Sequence, residues 1–304
     1  MLIPEKIVTL REQAEECEAR SANDSQFSQA LPDEPVTRIR PPRRWRTLEL
    51  KELWEHHELF YFLVWRDLKT RYKQTVLGAS WVVLQPLLMT AIFTVFLGRL
   101  VMVPTDGVPY AVFAYAGLLP WAFFSNSILS SSHSLVASAP LLTKIYFPRL
   151  FLPLASVIVR LVDFCIAALI LFAMLFYYGF KPSWGMLLFL PLLVELTLLA
   201  LGCGLWSAAL NVRYRDVGTL LPVLLQLWMF ISPIIYSSSI VPEKWLMLYR
   251  FNPLVGIIEG MRASLFGFKI DWGGIGISAI ITTLLLLYST YSFQKAEESF
   301  ADVV

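Results

Sequence analysis

The chain has 304 residues, of which 57% are hydrophobic and only 16% charged, and its formal net charge is +2. Soluble domains carry about a quarter charged residues. With a mean hydropathy of +0.60 and apolar runs of membrane-spanning length, this composition excludes a soluble globular domain and marks an integral membrane protein. Cys17, Cys165 and Cys203 are odd in number and far apart, which argues against both a disulfide framework and a metal site.

Residues 1–46 read as a cytosolic tail, largely flexible. An acidic patch (Glu12, Glu15, Glu16, Glu18) precedes a Ser/Asn/Gln/Pro segment with the composition of a linker. The tail is open to two readings, a partner-binding arm or an unengaged terminus. Residues 1–58 hold no apolar core of a cleavable signal, so the first span is expected to act as the insertion signal. Arg38, Arg40, Arg43, Arg44 and Arg46 flank Pro41-Pro42, a cluster suited to anionic lipid head groups.

Residues 47–78 read as cytoplasmic interface helices. On a helix over 61–76, Tyr61, Val64, Trp65, Leu68, Tyr72 and Val76 share one side, and Arg66, Lys69, Thr70 and Lys73 the other. That pattern predicts a basic amphipathic helix lying on a membrane surface.

Residues 79–293 form the transmembrane domain, with six spans predicted at about 79–101, 110–136, 151–178, 184–210, 218–236 and 274–291. A cytosolic tail, 294–304, follows. Ten basic residues between Arg38 and Lys73, together with Lys144, Arg149, Arg213, Arg215 and Lys295, lie on one side. By the positive-inside rule both termini and the loops 137–150 and 211–217 are cytoplasmic. The stretch from Val241 to Lys269 is too charged for hydrocarbon and too apolar for a simple loop. Asn252-Pro253 divides it into two short helices, 243–251 and 254–266, expected to be a re-entrant outer pair over a cavity or packed gate.

No GxxxxGK[ST], HExxH, CxxC or GxSxG motif occurs, and His56, His57 and His133 form no ligand cluster. The chain reads as a non-enzyme. Arg160 and Asp163, three residues apart in the third span, suit either an ion relay or an ion pair that fixes helix packing. Glu195 has no partner within a turn and needs one on another helix or in a wet cavity. Glu259 and Arg262 are expected to pair and hold the outer gate. Phe93, Phe96, Trp228, Phe230 and Tyr236 suit interfacial belts, core packing or flat faces for sugars.

WRDLKTRYKQTVLGASWVVLQP (65–86), FAYAGLLPWAFF (113–124), LLTKIYFPRLFLPL (141–154), LNVRYRDV (210–217), QLWMFISPIIY (226–236) and VPEKWLMLYRFNPLVGIIEGMR (241–262) occur in this order. As a set they resemble the membrane subunits of ABC-2-type polysaccharide exporters, the Wzm-type permeases for O-antigen, capsular polysaccharide and teichoic acid. The resemblance covers about residues 47–293. It implies an all-α, type V exporter-like homodimer of six-span subunits in the bacterial inner membrane. Two separate ABC ATPase subunits would use ATP and Mg, with no cofactor in this chain and no nucleic acid among its partners. The substrate would be an undecaprenyl-pyrophosphate-linked polysaccharide, an O-antigen first.

The resemblance also assigns roles. Leu141, Leu142, Lys144, Tyr146, Phe147, Pro148 and Arg149 would form a coupling helix (about 138–149) docking on the ATPase. The first and fifth spans would line a channel through Phe93, Phe96, Trp228, Phe230 and Tyr236. Trp245, Tyr249, Glu259 and Arg262 would belong to the outer gate. Arg66, Lys69, Arg71 and Lys73 would attract lipid phosphate, or anchor the helix to membrane lipids by charge alone. The alternatives are an ABC-2 exporter of a small drug or lipid, a polyprenyl-phosphate enzyme, which would need acidic clusters, and an ion channel, which would need a selectivity motif.

Overall fold

The computed structural model describes residues 56–73, 80–142, 147–180 and 184–303. The expectations for the tail 1–46, for residues 47–55 and for Lys144 and Tyr146 lie outside these, as does the Leu142 side chain. The described residues are helical, without strands.

Helix α1 (His57–Lys73) packs through one stripe. Leu63 is buried, and Leu59, Phe60 and Val64 join it against Phe147, Phe151, Leu152, Leu205 and Phe293. Tyr61, Phe62 and Trp65 point outward. Helix α5, the fourth after it, is Phe151–Tyr177. Phe60 meets Phe151, and Tyr72 meets Asp163, so twelve residues of α1 run alongside twelve of α5 in the same direction. The amphipathic pattern did not foresee this partner: α1 is docked lengthwise on α5. The periodicity located an apolar side but not which apolar residues find a partner.

Helix α2 (Ser80–Phe93) continues as a π-helical turn, Thr94–Leu100. The hydroxyls of Thr90 and Thr94 donate to carbonyls four residues back, a pattern that bends helices. Helix α3 (Tyr110–Ala137) is the centre of the bundle and is buried over most of its length. Its small residues, Ala114, Ala116, Gly117, Ser127, Ser131 and Ser132, let neighbouring helices approach closely, and Tyr115 donates to Ala167 O of α5 at 3.0 Å. A single turn, α4 (Ala139–Leu142), precedes α5, and a 3₁₀ turn at Trp184–Leu188 leads into α6 (Phe189–Arg213).

Helix α7 (Val217–Ile231) has only 15 residues. At 1.5 Å per residue it covers about 22 Å, less than the ~30 Å of a hydrocarbon core. The predicted span 218–236 is thus a shorter helix followed by an irregular turn. Ser232 precedes Pro233, is extended (ψ 153°), and ends the helix. Helices α8 (Glu243–Arg250) and α9 (Pro253–Phe266) follow, then α10 (Trp272–Val303). Among the described residues five helices are long and apolar enough to cross a membrane: Ser80–Leu100, Tyr110–Ala137, Phe151–Tyr177, Trp184–Arg213 and Trp272–Glu297.

The pair α8 and α9 is unequal. Trp245, Met247 and Leu248 leave α8 exposed, whereas α9 is buried from Pro253 to Ile258 and again from Gly260 to Leu265. Asn252 caps α9 by accepting from Leu254 N, with Pro253 at its first position. Gly256 lets α9 touch α10, since a β-carbon there would run into the Gly274 carbonyl and the Ser278 hydroxyl. Gly256→Ala should therefore cost about 1–3 kcal/mol by overpacking, seen as a lower melting temperature of the purified protein. Gly276→Ala, with open space around it, should melt like the parent.

Candidate functional site

A cavity of about 350 Å³ lies between α2, α3, α5 and α7. Val82, Gln85, Pro86, Met89 and Phe93 of α2 face it, as do Pro222, Leu225, Gln226 and Met229 of α7. Helix α3 contributes Leu118, Trp121 and Asn126, and α5 contributes Arg160, Asp163 and Phe164. The walls are apolar and aromatic with three amides. Arg71 of α1 also lines it.

Asp163 is the polar hub there. Its Oδ1 accepts from the Tyr72 hydroxyl at 2.5 Å, and its Oδ2 lies 3.0 Å from Arg71 Nη2 and 3.4 Å from Arg160 Nη1. Arg160 also donates through Nε and Nη2 to Ser130 Oγ, at 2.8 and 2.6 Å. The hub thus ties α1, α5 and α3 together. Burial and the Asp163 hydrogen bond push the Tyr72 phenol further up from its usual range, so it remains a donor. The Arg160–Asp163 pair foreseen from spacing is present, but as part of a set reaching a helix 91 residues away.

At the far end of the bundle Arg262 is buried, with 3% of its surface exposed. Its Nη1 donates to the carbonyls of Pro233 (2.6 Å) and Tyr236 (3.3 Å), and its Nη2 to those of Ile234 (2.5 Å) and Phe113 (3.2 Å). The guanidinium also lies 3.7 Å from the Phe113 ring centroid. Burial pulls its pKa down to about 10, so it stays charged at neutral pH. Gly117 leaves the room, for a β-carbon there would strike the guanidinium and the Ile234 carbonyl. The expected Glu259–Arg262 pair is corrected: Glu259 instead accepts from Ser238 N at 3.0 Å and Ser238 Oγ at 2.5 Å. Three carbonyls of the turn after α7 and the Phe113 carbonyl of α3 hold the guanidinium.

Asn252 joins the same region. Its Oδ1 accepts from Trp228 Nε1 at 3.0 Å, and its Nδ2 donates to Ser232 Oγ at 2.8 Å. The last turn of α7 is thereby tied to the hinge between α8 and α9. Tyr249 donates to the Tyr236 hydroxyl at 3.3 Å, and burial raises its phenol pKa.

The expected channel aromatics separate. Phe93 faces the cavity. Phe96 and Phe230 are exposed on the outer surfaces of α2 and α7. The Trp228 ring meets Phe124 edge-on at 5.3 Å, and its N–H donates to Asn252 Oδ1. Tyr236 donates to Phe230 O at 3.1 Å. In the expected coupling segment, Phe147 is corrected from a docking contact to a buried one, at 4% exposure beside Phe151 and Leu63. Leu141 packs against the same cluster, Pro148 is half-buried, and Arg149 donates to Glu297 O at 2.7 Å. Of the four cations expected to meet lipid phosphate, Arg66 pairs with Asp67 at 2.8 Å and Arg71 with Asp163, while Lys69 and Lys73 are exposed. Glu195 is half-buried, and its Oε1 has no hydrogen-bond partner. Trp245 is exposed.

The sequence reading missed Gln85, Asn126 and Gln226 as cavity residues and took Asn252 only as a break between helices. Their signal was available, since each is an amide set in an apolar stretch, a placement that asks for a hydrogen-bond partner or a wet cavity. Among the described residues no group of three or more His, Cys, Asp or Glu side chains could hold a metal.

Residues 58–266 match the ABC-2 type transporter family. The chain is 30% identical over 251 residues to an O-antigen export system permease protein RfbA of Klebsiella pneumoniae, covering 81% of this chain and 95% of the relative. The RfbA protein of Myxococcus xanthus is also 30% identical, over 84% of this chain and 98% of its own length. The polysialic acid transport protein KpsM of Escherichia coli is 25% identical, over 77% and 92%.

Removing the buried guanidinium leaves several carbonyls without donors. Arg262→Met should cost about 3 kcal/mol or more, and Arg262→Lys should recover only part of it, since an ammonium lacks the planar fork. Asn252→Ala should cost about 1–2 kcal/mol through the lost cap. Thermal unfolding of the purified variants checks all three.

Proposed function

The chain belongs to the ABC-2 type transporter family, and on that premise we propose that it is the membrane subunit of an ATP-driven exporter of lipid-linked polysaccharide, an O-antigen first. The observation that carries this is the cavity between α2 and α7, where the amides of Gln85, Asn126 and Gln226 stand among the aromatic faces of Phe93 and Trp121. Amides bond hydroxyls and aromatic faces meet the C–H faces of sugars, a combination that suits a glycan. The relative named for polysialic acid transport extends the substrate class to capsular polysaccharide.

In this reading two copies pair across the outward faces of α2 and α7, where Trp81, Leu88, Ile92 and Phe96 stand opposite Leu220, Val223, Leu227 and Phe230. The subunit spans the bacterial inner membrane with both termini cytoplasmic. ATP is hydrolysed by a separate subunit, in keeping with a chain that has no GxxxxGK[ST] motif. That subunit docks on the end of the bundle that carries 137–150. Its movement reaches α5 directly, because Phe147 and Phe151 share a core with Leu63 of α1. Helix α1 follows α5 through the Asp163 hub, and the wall of the cavity shifts with it. At the far end α7 pulls on the α8–α9 hinge through Asn252.

Disruption of the gene in its own host should abolish the surface polysaccharide and leave glycan inside the cell, as read by surface labelling and by lipid-linked glycan extraction. The tagged chain should co-purify with an ATP-hydrolysing subunit. Ala137→Arg, at an exposed position beside α4, should reduce that co-purification at least about tenfold, with the melting temperature unchanged. Unaltered surface glycan, or a chain that brings down no ATPase, would sink the reading.

A further inference from the structure

We infer that a second cavity, bounded by α8, α9, the turn 237–239 and the start of α10, binds a neutral sugar unit. The inference deepens the export reading, on which it rests for why a sugar should arrive; the fit comes from the geometry.

This cavity measures about 740 Å³ and shares no lining residue with the one between α2 and α7. Its charges cancel. Asp106, Glu259 and Asp271 line it together with Arg250, Arg262 and Lys269, three of each sign. A site so balanced favours neither an anion nor a cation, since either meets as many like charges as opposite ones.

The polar groups left over after internal bonding include both donors and acceptors. Arg250 is paired with Asp271 at 2.7 Å, and both Nη atoms of Arg262 are taken by carbonyls. The Nε–H of Arg262, by contrast, is buried and has no hydrogen-bond partner among the described residues. A buried donor without a partner is costly and asks for one. Asp106 accepts from Ser237 Oγ through Oδ2 at 2.7 Å, which leaves Oδ1 open, and the Ser239 hydroxyl and the Lys269 ammonium are open as well. Open donors and acceptors in one lining suit hydroxyls, which both donate and accept. Water meets such atoms equally well. Phe113, Leu246, Val255 and Phe268, however, give the same cavity apolar faces, and these favour a ligand that also carries C–H groups. A sugar has both. Leu246 and Tyr249 belong to α8, and Val255 and Glu259 to α9, so the bound sugar touches both sides of the Asn252 hinge.

Titration of methyl glucoside into the purified full chain in phosphatidylcholine nanodiscs, followed by saturation-transfer NMR, tests this. Binding should saturate with a dissociation constant on the order of 1 mM, as befits so small a ligand. Methyl glucuronide and glucosamine, one charge either way, should each bind at least about threefold more weakly. Asp106 has φ 53°, a left-handed conformation that asparagine also adopts, so Asp106→Asn keeps the backbone and an acceptor for Ser237. It leaves the cavity one positive charge in excess. Methyl glucuronide should then gain about fivefold on methyl glucoside, the scale of one exposed charge pair, and glucosamine should fall further behind. Ser239→Trp, at an exposed lining position, should abolish binding by filling the space. A signal that never saturates means a cavity filled by water alone and overturns the inference. Methyl glucuronide binding best to the parent chain overturns the assignment to a neutral sugar. Binding that survives Ser239→Trp but is lost in Gln226→Leu belongs to the first cavity and also refutes the site. Should Ser239→Trp fail to fold, Asp106→Asn decides, and unchanged ratios among the three sugars overturn the inference. A chain that exports glycan but binds no sugar here loses this site and keeps the export reading. A chain that binds as expected but exports no glycan keeps the site and loses that reading.

Discussion

The charge of Arg262 makes possible the break at the end of α7. A helix that stops at Ile231 leaves its last carbonyls without donors, and away from water each costs free energy. Pro233 can supply no N–H to relieve them. Ser232 meets the carbonyls of Trp228 and Met229, and the Tyr236 hydroxyl that of Phe230. One guanidinium, 29 residues beyond Pro233, bonds the carbonyls of the turn that follows, those of Pro233, Ile234 and Tyr236, and the Phe113 carbonyl of α3. A cation so placed also has to be kept charged without a carboxylate in contact, and carbonyl dipoles with the Phe113 face serve for that. The short helix, the irregular turn and the burial of α9 are three aspects of this one arrangement.

From that point the functional geometry follows. Because α7 ends early, Ser232 and Trp228 come within reach of Asn252, and the wall of the cavity is connected to the α8–α9 hinge. Because α9 is buried against α6 and α10, one side of the hinge is enclosed, while Trp245 and Met247 leave α8 exposed.

The long spans were legible because a run of twenty apolar residues has few other fates, and five such helices stand where hydropathy put them. The split at Asn252-Pro253 was legible for a local reason too, a cap residue followed by proline. What escaped was long-range. Spacing of three suggested that Glu259 would take Arg262, yet the guanidinium bonds the carbonyls of the turn after α7 and of Phe113, and Glu259 bonds Ser238. Spacing also found Arg160 with Asp163, but not Tyr72 and Arg71, whose sequence separation carries no periodic signal. The π-helical turn at Thr94–Leu100 has no residue signature of its own, and the aromatic count could not say that Trp228 faces Phe124 and not the cavity. Local rules place elements, whereas the site is built from contacts between elements.

The two ends of the bundle hold their arginines in opposite ways, and this asymmetry assigns them different work. Arg262 is enclosed by four backbone carbonyls that no ligand can substitute without unravelling the turn. Arg71 and Arg160 share the Asp163 carboxylate, Arg160 also donates to Ser130 Oγ, and both line a cavity. A contact made by side chains alone can rearrange without disturbing the backbone of either helix, whereas Arg262 can move only if the turn after α7 moves with it.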